Sequence, residues 1–463
     1  MKSVDDFLTA VESRLMRAQI STDPADLEFY GQDWSKIVKP NASAVLFPQT
    51  TAEVSEILKI AHNHKISIVP SGGRTGLSGG AVASDGEVVL SLIRLNFMGP
   101  LHQGALTLKV GAGAITETVH EYCKPAGLTW PVDFASKGSS TVGGNLATNA
   151  GGVRVIRYGN TRNWVLGMTV VTAKGEILEL NHELEKNNTG YDFRQLLIGS
   201  EGTLGVITEA TLKLTALPRS RLVFFFALKN FQSLITLFTF VRAQFPNLSA
   251  FECLDHASLS SVMNHFKLLS PVNAKGEVYA LVELENTDFA EAEGVLNQIF
   301  EQGLALDGVM AQHEQEAQAL WHYREGVAES ILSGHDVHQE DVSVPVARLK
   351  EFYAEITARY QEAFPEFKVF FFGHIGDGNI HIFIQRPEAL ALDLFLEEAK
   401  ASDLDLFKVL SRYQGSVSAE HGVGLLKRHV LHFTRSPTDL MLMRKVKKAF
   451  DPQNILNPGK ILE

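Results

Sequence analysis

"PSGGRTGLSGG", residues 70–80, follows directly on the short apolar run "ISIVP" and is crowded with glycine and serine. Glycine lets the backbone bend so that successive N–H groups point into one concavity, which suits a diphosphate. The spacing matches neither G-x-G-x-x-G nor G-x-x-x-x-G-K-[ST], so neither a dinucleotide Rossmann turn nor a P-loop is present. Alone, such a cluster is equally well an ordinary mobile loop. Two further segments repeat the pattern: "SSTVGGNLATNAGG" (139–152), which opens a short helix with hydroxyls and glycines, and "LIGSEGTLGVITEATLKL" (197–214), which runs into a strand. Three such segments in one region favour a large cofactor lying across it.

Around these loops, strand and helix alternate up to Pro218. "QTTAEVSEILKIAHNHK" predicts a helix, with Thr50 and Glu53 as a capping box and Val54, Ile57, Leu58 and Ala61 on one face. The first 37 residues are expected to form a helical leader. Residues 38–218 then form a cofactor domain, 219–425 a second domain, and 426–463 a turn-rich tail returning to the first. After Pro218 the runs "RLVFFFAL", "FQSLITLFTFVRAQF", "LSAFECL", "EVYALVEL", "AEAEGVLNQIF" and "LALDGVM" read as β-α-β-β-α-β. That order makes an antiparallel, ferredoxin-like sheet with helices on one face. The fold class is α+β.

The chain has 463 residues, 45% of them hydrophobic, enough for two domains. With a net charge of −11 and no basic run, nucleic acid is not an expected partner. Two cysteines, Cys123 and Cys253, make neither a disulfide framework nor a cluster site, and the cytoplasm is the expected compartment. "MKSVDDFLTAVESRLMRAQI" reads as an acidic amphipathic helix rather than a signal peptide. No stretch reaches membrane-spanning length. Peripheral contact at the inner face of a membrane stays open.

"FFGHIGDGNIHIFI" (370–383) sets His374 and His381 across a glycine-rich turn. If Ile375–Ile380 form the loop, the two histidines oppose each other directly, with Cβ atoms ~5 Å apart. They then either reach one metal or form a hydrogen-bonded pair at a sheet edge. Asp377 and Gly378 supply the turn, Asp377 shaping it rather than ligating. In "SAEHGVG" (418–424), Glu420 can complete a set of two histidines and one carboxylate, which suits zinc or another divalent metal. If that segment is extended, His421 points away from Glu420 and can handle a proton.

Taken in order, "PSGGRTGLSGG", "STVGGNLATNAGG", "GSEGTLGVIT", "GHIGDGNIH", "SAEHGVG" and "FDPQNILNPGK" resemble the vanillyl-alcohol-oxidase (PCMH-type) FAD-binding flavoproteins. Within these the chain is similar to the D-2-hydroxyacid dehydrogenases, which include flavin D-lactate dehydrogenases, the glycolate oxidase flavin subunit and D-2-hydroxyglutarate dehydrogenases. The resemblance covers about Pro40 to the C-terminus. It implies that Ser71, Gly72, Gly73, Arg74, Thr75, Gly76, Leu77 and Ser78 cradle the FAD pyrophosphate. Ser140, Thr141, Gly144, Asn145, Gly151 and Ile207 would lie along the cofactor, with Asn457 returning from the tail. The glycine loops contain no His or Cys tether, so non-covalent FAD is expected. The resemblance also implies His374, His381 and Glu420 as metal ligands and His421 as base.

A 2-hydroxyacid offers a carboxylate and an adjacent hydroxyl that together chelate a divalent cation, which acidifies the hydroxyl. Arg324, in the helical "LWHYREGVAES", is the candidate carboxylate clamp. The chain departs from the 2-hydroxyglutarate-using pattern, with Gln339 and Phe383 where a lysine and an asparagine are expected. This favours a smaller or more apolar acid. Two other readings compete: a metallohydrolase on the same three ligands, and a non-catalytic flavin subunit of a larger complex. Electrons would pass to an external acceptor such as a quinone, an electron-transfer flavoprotein or oxygen. A homodimer is compatible with the sequence, which does not set the oligomeric state.

Overall fold

The computed structural model describes residues 3–463. The chain forms two compact units. The first takes in the residues up to Gly152, then Gly159–Leu217 and Glu420–Glu463; the second is Val153–Tyr158 and Pro218–Ala419. The change at 217/218 coincides with Pro218. The later change comes six residues earlier than the 425/426 division expected from sequence.

The first unit holds two main sheets. One has four strands in the order Ile20–Ser21, Ala44–Leu46, Val88–Ser91 and Ile68–Ser71, the last three parallel. Parallel strands are covered on both faces, so they read as unbroken apolar runs such as "AVL" and "VVLS". The other is a five-stranded antiparallel sheet containing Thr107–Gly111, Val165–Val171 and Val206–Lys213. The predicted helix is Thr51–His64, with the Thr50 side chain accepting from Glu53 N. Val54, Ile57, Leu58 and Ala61 are fully buried.

The expected leader does not stand apart. Its helix Val4–Glu12, closed by a Ser3–Asp6 capping box, sinks Phe7 and Val11 into the same cluster as Val54 and Ile57. Those two apolar residues, four apart, are its reason to pack. The C-terminal tail also belongs to this core: Ile68 N donates to Ile455 O, and Asn457 N donates to Ile68 O.

The second unit is built on a seven-stranded antiparallel sheet. Its strand order is Asp307–Met310, Arg221–Leu228, Val278–Glu285, Leu248–Asp255, Lys368–His374, Asn379–Gln385 and Val337–Ser343. The first four strands, numbered along the chain, lie in the order 4-1-3-2, the ferredoxin-like arrangement, and the histidine-bearing hairpin extends the sheet. Two details differ from expectation. A helix, His256–Phe266, intervenes between the second and third strands, with Asp255 as its cap. Serine and histidine dilute its apolar stripe in sequence, yet Leu259 and Val262 are fully buried. Helices also cover both faces of the sheet rather than one. Phe225, Leu254 and Phe372 pack with Leu259 and Trp321 on one face. On the other, Phe251 meets Phe238 and Phe371 meets Tyr360. Among the described residues no helix is long and apolar enough to cross a membrane.

Candidate active site

In the first unit the glycine loops interlock through their backbones. A Cβ on Gly73 would lie 2.1 Å from Ser139 O, and one on Gly72 would lie 2.4 Å from Thr141 Oγ1. Only glycine lets the 71–78 loop rest on the 139–145 segment. Thr141 caps the helix Val142–Thr148, and Asn145 Nδ2 donates to Thr116 Oγ1 at 2.7 Å. Ser140 Oγ lies 2.8 Å from the same hydroxyl. Asn457 Nδ2 donates to Gly80 O and Glu201 O. The segments singled out in sequence therefore meet in one region.

Two buried oxygens in this region, Ser71 Oγ and Asn457 Oδ1, have no hydrogen-bond partner. Buried polar atoms are nearly always paired, so such orphans beside a backbone cradle fit a polar cofactor. The Arg74 guanidinium stacks over Phe29 at 4.3 Å and Tyr30 at 4.7 Å. Ile207 is buried in the antiparallel core, and Gly151 is half-buried.

In the second unit, alternation along the strands puts a second group on one sheet face. His374 and His381 share that face, their ring centroids 5.4 Å apart at 84°. They are not directly opposed, because His381 pairs with Phe372 and His374 lies one step along the diagonal. The hairpin turn is tighter than expected, four residues from Ile375 to Gly378, which shifts the register. Gly378, at φ +88° and with its Cβ position 2.1 Å from Val344 O, permits this. Asp377 Oδ1 accepts from Asn379 N, so it shapes the turn as expected.

A buried carboxylate bonds His374 at Nδ1, and a second one stands near His381. Glu252, fully buried on the strand Leu248–Asp255, lies 2.7 Å from His374 Nδ1. Asp341 lies 3.6 Å from His381 Nδ1, held by Asn379 Nδ2 at 2.8 Å and by Ala419 N at 3.1 Å. Sequence reasoning did not single out Glu252. The available signal was a charged residue at an inward position between Ala250 and Leu254, where a lone carboxylate is costly.

Glu252 also holds Arg324, whose Nε is 2.9 Å from Oε2 and whose guanidinium stacks 5.2 Å over Phe372. Arg324 is thus buried rather than solvated, and its Nη2 is without a hydrogen-bond partner. Phe383 packs edge-on against Phe372 at 4.9 Å, directly across the strand pair from Gln339.

Glu420 and His421 open the segment by which the chain re-enters the first unit. The segment is bent rather than extended: Gly422 has φ +82°, and His421 Nε2 lies 3.7 Å from Glu420 Oε1. The expectation that the two side chains point apart is therefore overturned. Glycines at 422 and 424 let the backbone turn instead of running as a strand.

Two family models cover most of the chain. The FAD binding domain matches residues 42–181, and the C-terminal domain of FAD linked oxidases matches residues 217–461. The chain belongs to the FAD-linked oxidases. Proteins named D-2-hydroxyglutarate dehydrogenase are among its relatives. The one from Xanthomonas citri pv. viticola is 45% identical over 99% of this chain and 97% of its own length. The mitochondrial one from Bos taurus is 36% identical over 99% of this chain and 84% of its own. A mitochondrial protein of Schizosaccharomyces pombe named for D-lactate dehydrogenase is 36% identical over 95% and 85%.

Among solved structures, alkyldihydroxyacetonephosphate synthase (19% identical, 99% of this chain and 86% of that one) superposes with a TM-score of 0.75. Substrate-bound p-cresol methylhydroxylase (16% identical, 99% and 96%) gives the same score. These two show the PCMH-type fold alone. The FAD-linked oxidase is an oxidoreductase, and the metallohydrolase reading falls with the flavin domain in place.

Proposed function

We propose that this FAD-linked oxidase dehydrogenates a D-2-hydroxyacid to the 2-oxoacid with the help of one divalent metal, zinc being the first candidate. The observation that carries the metal is the pair of buried carboxylates beneath two histidines on one face. The Glu252 carboxylate at His374 Nδ1 fixes that tautomer and leaves Nε2 as the ligand nitrogen, the usual support of a metal-bound histidine, and Asp341 stands 3.6 Å from His381 Nδ1. Glu420 supplies the third ligand, on the segment that follows Ala419, whose N–H Asp341 holds. Ser71 to Ser78, the 140–145 segment, Gly151, Ile207 and Asn457 are the proposed holders of non-covalent FAD.

FAD supplies a two-electron acceptor when bound, and the metal supplies a Lewis acid. The chain's own residues do the rest. The Arg324 Nη2 donor binds the substrate carboxylate, and the buried Glu252 holds the guanidinium in place. His421 takes the C2 hydroxyl proton on a ring nitrogen as C2 is oxidised. Electrons then leave to an external acceptor.

The names of the relatives favour D-2-hydroxyglutarate. A second reading, a compact acid such as D-lactate, rests on the Gln339–Phe383 pair, which puts an amide and a core-packed ring beside His381 where a cation would bind a distal carboxylate. Anaerobic mixing with D- and L-2-hydroxyacids tests the whole proposal. D-acids should bleach the flavin and L-acids should not. Flavin that stays oxidised with every D-acid removes the proposal.

A further inference from the structure

The acidic residue of "GSEGTLG" is buried in the first unit with no cationic partner among the described contacts. Glu201 is 7% exposed and sits at φ +50°. Its carboxylate grips two consecutive backbone N–H groups: Oε1 accepts from Val423 N and Oε2 from Gly424 N, both at 2.8 Å. The surroundings leave it no other place. A Cβ on Gly422 would lie 2.9 Å from Oε1, and one on Gly80 would lie 3.3 Å from Oε2. Gly424 in turn presses on the 71–80 loop, its Cβ position 2.1 Å from Ser78 O, and Leu426 N donates to that oxygen. The main chain of Glu201 is pinned as well, by its N–H on Ala147 O and its carbonyl under Asn457 Nδ2.

Burial raises the Glu201 pKa, and the two N–H bonds oppose that shift. A buried carboxylate without a cation is expensive to keep, and an apolar residue would fill the space at less cost. What the carboxylate provides is a two-point grip on a glycine-flanked turn that would otherwise have many backbone states. The first gripped amide, that of Val423, lies two residues after His421.

We infer that Glu201 is a positioning residue: it sets the conformation of the 420–424 turn and thereby the directions of Glu420 and His421. The inference rests on the roles proposed for those two residues. It also gives "GSEGTLG" a task separate from lining FAD. Outer carboxylates that orient metal ligands or bases typically carry a 10–100-fold share of affinity or rate.

The test uses the full-length holoenzyme and two variants that reach the contact from opposite sides. Glu201→Gln keeps size but turns an NH2 toward one of the two N–H donors. Gly422→Ala pushes a methyl group against Oε1. Both should retain FAD, and amide hydrogen exchange at Val423 and Gly424 should accelerate. Zinc affinity by chelator competition and the anaerobic flavin-reduction rate per bound FAD should each fall about 10–100-fold. Gly422→Ala also strains the turn at φ +82°, so Glu201→Gln is the variant that isolates the carboxylate grip.

Unchanged exchange at the two amides, or a per-flavin rate and zinc affinity within twofold of wild type, overturns the inference. So does loss of FAD from a folded variant, which would make Glu201 a cofactor residue. A wild-type protein that neither binds zinc nor reduces its flavin refutes the proposed function instead. The exchange measurement still decides whether Glu201 holds the turn.

Discussion

In the first unit the functional loops are held backbone to backbone: Gly73 against Ser139, Gly424 against Ser78, and the tail against the strand Ile68–Ser71. In the second unit the site is held by side chains standing on a sheet, Glu252 between His374 and Arg324, and Asp341 beneath His381. The first arrangement tolerates almost no added atom. The second depends on charge pairing between buried side chains. The two should therefore fail in different ways: a substitution where the 71–78 loop meets the 139–145 segment should leave the metal bound, and one at the histidine pair should leave the flavin bound.

The largest effect tests that separation directly. Gly73→Ala forces a methyl group to within 2.1 Å of a carbonyl oxygen and should release the flavin while the purified protein still binds zinc. His374→Ala should do the reverse, losing the metal and all turnover but staying yellow. Absorbance and elemental analysis of the two proteins read both outcomes. Joint loss of flavin and metal in either variant breaks the comparison.

The proposed base comes next. His421→Asn should keep FAD and metal and lose ~10²–10⁴ in the rate of flavin reduction, the usual contribution of general-base catalysis. A near-wild-type rate in rapid mixing, with metal occupancy confirmed, assigns the proton to another group.

Glu252→Gln isolates the support beneath one ligand. The amide keeps its size but offers one acceptor oxygen to a carboxylate's two neighbours, so zinc affinity should drop ~10–100-fold. Chelator competition measures this, and an unchanged affinity would leave Glu252 as a partner of Arg324 only. The smallest effect concerns specificity. Gln339→Lys should raise the specificity constant for D-2-hydroxyglutarate relative to D-lactate by up to about fivefold, the ~1 kcal/mol upper end of what one screened ion pair contributes. A ratio that does not move shows that the distal carboxylate lies elsewhere.

The same contrast explains what could be read without the structure. Backbone-built loops announce themselves locally: 70–80, 139–152 and 197–214 are conspicuous because a close approach demands glycine at each point of contact. The ferredoxin-like order was legible from strand and helix runs, apart from His256–Phe266, whose serines hid a buried stripe. The histidine pair was legible as a pair, but its register was not, since one turn residue more or fewer moves the partner along the strand. Glu252 and Asp341 were the hardest to find. Their role depends on which residues of distant strands come to lie beside them, and no spacing within a single strand records that.

The chain crosses between the units four times, and the first excursion is only the six residues from Val153 to Tyr158. Those six carry Arg154, 2.8 Å from the buried Glu283, and Arg157, 3.0 Å from the buried Glu285. During synthesis these two arginines leave the ribosome well before the acidic strand Val278–Glu285 that they neutralise. An excised fragment from 218 to 419 would lack both cations, leaving Glu285 with Arg221 at 3.4 Å and Glu283 with no ion-pair partner among the described residues, and an unpaired buried charge costs several kcal/mol. Recombination that exchanged this unit between relatives as one continuous cassette would meet the same difficulty. The short segment at 153–158 would have to travel with it.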